Sequence, residues 1–149
     1  MAVLTWGEPK VEVGAWSGST APSTWKALPE IKQDTATLET EAGDKTEALD
    51  EGGNVVDTRT AKSKYTFTCQ IFRKNGEEKP IADTDGVITA NYGVRLTPED
   101  SSLTGWQMAK TSVSCQESWS SADGTMWTYT FSGIKSDSST TILQDYKAS

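Results

Sequence analysis

The chain has 149 residues, with 14 lysines and arginines against 21 aspartates and glutamates, no histidine and two cysteines, and 35% of it is hydrophobic. That suits one domain over residues 1–149 and leaves little room for two. The lack of histidine excludes Ser-His-Asp triads, Cys-His nucleophile pairs and histidine-containing metal sites. The formal charge of −7 argues against a reader of nucleic-acid sequence, whose affinity comes largely from Lys and Arg on phosphates.

Period-two alternation dominates the chain, and no twelve-residue window carries a helical stripe, so a mostly β protein is expected. Val11, Val13 and Ala15 mark a first strand, followed by a Ser/Gly/Pro-rich loop over residues 17–23. Residues 25–31 suit an edge strand, because Pro29 lacks a ladder donor. Residues 35–42 alternate weakly. Residues 64–74 form the strongest central strand, with Tyr65, Phe67, Cys69 and Ile71 alternating with Thr66, Thr68 and Gln70, and Asn75-Gly76 ends it.

Between residues 81 and 90, one short helix capped by Asp83, Thr84 or Asp85 is allowed, although Gly86 and Thr89 lower its propensity. Residues 92–97 make a strand that Pro98 terminates. Residues 106–121 and 125–134 then form a hairpin about Asp123-Gly124, in which Trp119 and Trp127 are expected to face each other across the strands. Residues 140–146 add a last strand beyond a loop at 136–139. Seven or eight strands suit a two-sheet β-sandwich or a partly closed barrel with a short helix.

Cys69 and Cys115 each point the way their apolar neighbours point, which favours buried thiols over a bond between adjacent strands or a reactive thiol. No apolar run approaches the roughly 18 residues of a transmembrane helix, and residues 1–10 lack a charged segment followed by an apolar one, so an intracellular chain without a membrane partner is expected.

Residues 43–61 break the pattern, with three glycines in nineteen residues, few large apolar groups and no sustained period. A structureless loop of that length is unusual in a small domain. Residues 39–57 hold seven acids, Glu39, Glu41, Asp44, Glu47, Asp50, Glu51 and Asp57, against Lys45 alone, so they carry −6 of the chain's −7. Arg59, Lys62 and Lys64 follow at once. One reading is a solvated, mobile loop; the other is an assembly arm beginning at Gly43, whose acidic and basic limbs meet within one hairpin or on a neighbouring copy.

The six tryptophans permit a sugar-stacking platform, but core and lid roles account for them better. Asp83-Thr84-Asp85-Gly86 starts like a calcium loop and lacks the later ligands. Glu77-Glu78 and Glu99-Asp100 lie in turn-like settings that do not raise a carboxyl pKa for acid catalysis. No cofactor, metal or enzymatic activity is expected.

The words Leu4-Thr5-Trp6-Gly7-Glu8-Pro9-Lys10, Thr40-Glu41-Ala42-Gly43-Asp44-Lys45-Thr46-Glu47-Ala48, Glu51-Gly52-Gly53, Val55-Val56-Asp57, Tyr65-Thr66-Phe67, Asp85-Gly86-Val87-Ile88, Tyr92 and Leu96-Thr97-Pro98-Glu99-Asp100 together resemble tail-tube proteins of tailed phages of Bacteroides-type hosts. The resemblance covers most of the chain. It implies a β-sandwich with a flanking helix, joined edge to edge into hexameric rings that stack into a tube, with residues 64–74 or a neighbouring strand in the intersubunit wall. It also implies that Glu39 and Glu41 are candidates for the acids of a lumen through which DNA passes unbound, and that the partners are copies of the chain and other tail proteins. The location implied is a virion tail assembled in a host bacterial cytoplasm. A carbohydrate-binding sandwich, and a tube or terminator protein of a related contractile injection system, are the alternatives.

Overall fold

The alternation seen in sequence becomes strand after strand. A computed structural model describes the chain apart from residues 1–6, 18–19, 30, 33–34, 77, 101, 136–140 and 148–149. Trp6, Glu77 and the 136–139 loop therefore lie outside the described residues. The strands are β1 (Lys10–Ala15), β2 (Lys26–Ala27), β3 (Thr37–Glu41), β4 (Lys45–Leu49), β5 (Val55–Thr60), β6 (Lys64–Phe72), β7 (Tyr92–Thr97), β8 (Gly105–Ser120), β9 (Gly124–Ile134) and β10 (Leu143–Tyr146). They build two antiparallel sheets. One has eight strands in the order β2-β1-β7-β8-β9-β6-β3, with β10 also paired to β8; the other is the β4-β5 hairpin.

Strand β8 joins two layers. Its first residues pair with β7 on one side and β10 on the other, and from Lys110 onward it pairs with β9. Between these stretches the register slips: the two-residue step Tyr92 to Val94 on β7 spans the three-residue step Thr111 to Met108 on β8. An extra residue reverses which side chains face inward. Met108 is therefore buried before the slip, and Thr111, Val113 and Cys115 after it. The irregular backbone finds other partners, since the Trp16 indole N–H donates to the Ala109 carbonyl at 2.7 Å and the Thr111 hydroxyl to the Tyr92 carbonyl at 2.6 Å.

The sheet curls until its ends share one core. Phe67 on β6 meets Trp106 on β8 edge-on, with centroids 4.9 Å apart, although β9 lies between those strands. Val11, Val13, Ile71, Val94, Met108, Val113, Trp127, Tyr129 and Phe131 complete a single cluster. The end strands of this order, β2 and β3, do not pair, so the architecture is sandwich-like and is not a barrel.

Residues 81–90 contain no helix. Thr84 and Val87 bridge each other across Asp85 (φ 50°) and Gly86 (φ 86°), and two consecutive positive φ values make a tight hairpin turn that no helix accommodates. Asp83 holds the turn by accepting the Gly86 N–H at 2.7 Å, and it takes the Lys79 ammonium at 2.6 Å. These bonds, that from Lys79 foremost, hold its carboxyl below the usual carboxylate range. The flanking helix implied by the resemblance is likewise absent among the described residues.

The late hairpin forms, but the two tryptophans do not face each other. Ser120 pairs with Gly124, so the loop is residues 121–123, and the register sets Trp119 opposite Thr125 and Trp127 opposite Glu117. Trp119 is 73% exposed, whereas Trp127 is buried and donates its indole N–H to Glu117 at 2.9 Å.

Cys69 and Cys115 both pair with Tyr129, from opposite sides. Two strand spacings, about 9–10 Å, separate them, beyond the roughly 7 Å that a disulfide spans. Burial pushes the Cys69 thiol up to about 12, and burial, then the Asp83 charge, raises Cys115. Native protein at pH 8 is expected to react slowly with a thiol reagent at both positions and rapidly in denaturant; fast native labelling of both would contradict this packing.

The Tyr129 hydroxyl donates to the Ile81 carbonyl at 2.8 Å and accepts the Ile81 N–H at 3.4 Å. Tyr129→Phe strands both buried groups and is expected to cost about 1–3 kcal/mol, measured as a lower urea midpoint at constant slope.

Candidate assembly surface

Strands β3 and β6 pair as far as Glu41 with Lys64. The same two chain segments continue through a neck into β4 and β5, where the Ala61 N–H donates to the Asp44 carbonyl at 2.8 Å. At the neck the strands nearly touch: any Cβ on Gly43 would strike the Ala61 carbonyl. Glycine is required there for close approach. Residues 43–61 thus form a hairpin that prolongs the body, in place of a structureless loop. Every residue of β4 and β5 is exposed.

Asp50 builds the tip. Its carboxylate accepts the Asn54 backbone N–H at 2.9 Å and the Asn54 side-chain amide at 3.3 Å, and these bonds hold it below the usual carboxylate range. Gly53 supplies the positive φ of 81° that the turn needs. Leu49, Val55 and Val56, exposed by 60%, 51% and 64%, sit beside it. Glu51 lies in the same turn.

Across the arm, Lys45 faces Thr60, Arg59 faces Thr46, Glu47 faces Thr58 and Asp57 faces Ala48. Within β4 and β5 the acidic and basic limbs therefore do not face each other, whereas below the neck Glu41 faces Lys64. Among the described residues, no ion pair involves Asp44, Lys45, Glu47, Asp57, Arg59 or Lys62; the pairs present are Lys32–Asp123, Lys79–Asp83 and Arg95–Glu12.

Glu39 and Glu41 lie exposed on β3, opposite Thr66 and Lys64. They stand at the border of a face that sequence reasoning missed. On the outer side of β6, β9 and β8, register aligns Thr66 with Ser132 and Ser112, Thr68 with Thr130 and Ser114, and Gln70 with Thr128 and Gln116. This is an uncharged field of hydroxyls and amides. The polar half of each alternation was visible in sequence, but only strand order lines the three up. Strand β6 itself is flanked on both sides, so it offers no edge for an intersubunit wall; β3, its neighbour, does.

The tryptophans form no sugar platform among the described residues. Trp16 covers the β8 slip, Trp106 packs on Phe67, and Trp127 is core. Trp25 stacks with the Arg95 guanidinium at 4.3 Å, with Tyr146 5.0 Å away, while Glu12 accepts from Arg95 at 3.3 Å. Among the described tryptophans, Trp119 alone is largely exposed.

No protein-family model matches the sequence, and no curated protein matches it. Among solved structures, the chain is similar to the PVC sheath/tube terminator of an extracellular contractile injection system, seen in the extended state. The identity is 15%, the TM-score is 0.51, and the match covers 91% of this chain and 93% of that one. The two share a fold. The likeness runs through the whole chain rather than one motif.

Proposed function

We propose that the chain is a non-catalytic structural subunit of a phage-tail-like particle, which associates with copies of itself into hexameric rings and with other tail proteins. The observation that carries this reading is the fold, matched over nearly its full length by a component named for the end of a sheath and tube. The exposed arm supports it, since a hairpin with no cross-strand charge compensation is suited to a partner. Rings stacked on one another give a tube, and a ring that stops growth gives a terminator. The uncharged Ser/Thr/Gln field suits a wall past which DNA moves, because its nine aligned residues offer phosphates no Lys or Arg, with Lys64 and Lys110 only at its border.

Negative-stain electron microscopy of the purified chain across a concentration series tests the reading. Rings with a central hole are expected. Stacks would assign the tube role and single rings the terminator role, whereas isolated small particles at every concentration would overturn it.

A further inference from the structure

The arm carries charges that its own ladder leaves unmatched, and among the described residues β5 has a neighbour on one side only. Past the bulge at Val56, its sequence Asp57-Thr58-Arg59 is its own complement when run antiparallel. With Thr58 opposite Thr58 of a second copy, each Asp57 stands opposite Arg59 of the other. The same register sets Val56 against Thr60 and Asn54 against Lys62. It also brings the acidic tip, Asp50 and Glu51, beside the basic root, Lys62 and Lys64, of the second copy. Strand β4 lacks this match: the register that pairs Lys45 with Glu47 sets Glu51 against Glu41.

We propose that two copies of this chain join arms through their β5 edges, antiparallel about Thr58, making a four-stranded sheet from two hairpins. Cross-strand pairs of opposite charge stabilise such a sheet, and an open edge is the natural acceptor of another strand. An isolated two-stranded hairpin is marginal in water, and doubling it removes that weakness. In the single chain the Asp57 carboxylate holds the edge-facing Thr58 N–H at 2.8 Å; pairing exchanges that bond for the Thr58 carbonyl of the second copy and frees the carboxylate for the second copy's Arg59. The contact is isologous, the same patch on both partners. It rests on the self-association proposed above but not on ring closure.

The test uses the full chain in analytical ultracentrifugation, with Asp57→Arg and Arg59→Asp made separately. Both positions are exposed, and thermal melts confirm that each variant folds. Each is expected to weaken self-association on the order of tenfold, because like charges then face each other twice. Mixed in equal amounts, the variants are expected to associate as tightly as the parent, since one strand then carries only cations and the other only anions, and added salt weakens both parent and mixture. Variants that associate like the parent, or a mixture no tighter than its components, would overturn the contact. If rings form and are indifferent to both substitutions, the arm contact fails and the ring reading survives. If the mixture rescues pairing while no rings appear at any concentration, the contact stands and the ring reading fails. A parent chain that never self-associates overturns both.

Discussion

Trp127→Ala is expected to remove about 3–5 kcal/mol of stability. The ring is 2% exposed near the start of β9, between Ile71 of β6 and Glu117 of β8 in the ladder. Truncation forfeits its transfer free energy and leaves a cavity that a curled sheet, held by neighbours on both sides, cannot collapse around. It also removes the donor to Glu117 and the ring beneath the Arg73 guanidinium, 5.7 Å from its centroid. Since a domain's whole stability is about 5–15 kcal/mol, the variant would be marginal. Urea denaturation reads the loss. Trp119→Ala is the control, since a ring 73% exposed should cost no more than about 0.5 kcal/mol. A loss under about 1 kcal/mol for Trp127→Ala would put that ring outside the core.

Deleting residues 44–60 is expected to abolish assembly while leaving the fold intact. The cut falls at the neck, where Gly43 and Ala61 already touch, so the shortened chain closes over residues 42–43 and 61–63. Loops of that size commonly join paired strands, and Glu41 still meets Lys64. Nothing of the removed hairpin is buried, so the melting midpoint should move by about 2 °C or less. Electron microscopy and ultracentrifugation read the other half of the prediction. Loss of the cooperative melt would show that the arm supports the body, and rings formed as readily as by the full chain would show that assembly does not use it.

Most of the strands were legible because a half-buried strand writes its two faces into alternate residues, as Tyr65, Phe67, Cys69 and Ile71 do. The arm was legible as a break in composition, though not as paired strands: β4 and β5 bury neither face, so nothing forced an alternation upon them. The error at residues 81–90 has a specific source. Asp83 and Gly86 read equally well as a helix cap with a poor interior and as a turn with its side-chain staple, and only the bridge from Val87 to Ser114 on β8 favours the second. The candidate surface was partly visible. Charge listing found Asp57 and Arg59, but their pairing with neutral Ala48 and Thr46 depends on register. The Ser/Thr/Gln face was beyond reach because it is assembled from three strands far apart in the chain.

The register slip in β8 also governs which changes of length the chain tolerates. A residue added to or removed from the arm's turn, at Gly52 for instance, disturbs only a solvated tip. Removing one residue between Met108 and Thr111 would restore strict alternation to β8 with Met108, Thr111, Val113 and Cys115 all still facing inward, because their three-residue spacing becomes two. Removing one residue beyond the slip, Ser112 for instance, would instead drive Ser114 and Gln116 inward and turn Val113 and Cys115 out to water. Short insertions and deletions should therefore be found freely at the arm's turn among descendants of this sequence, a single loss should be tolerated at half-buried Ala109 or Lys110, and changes of length should be purged from residues 111–116.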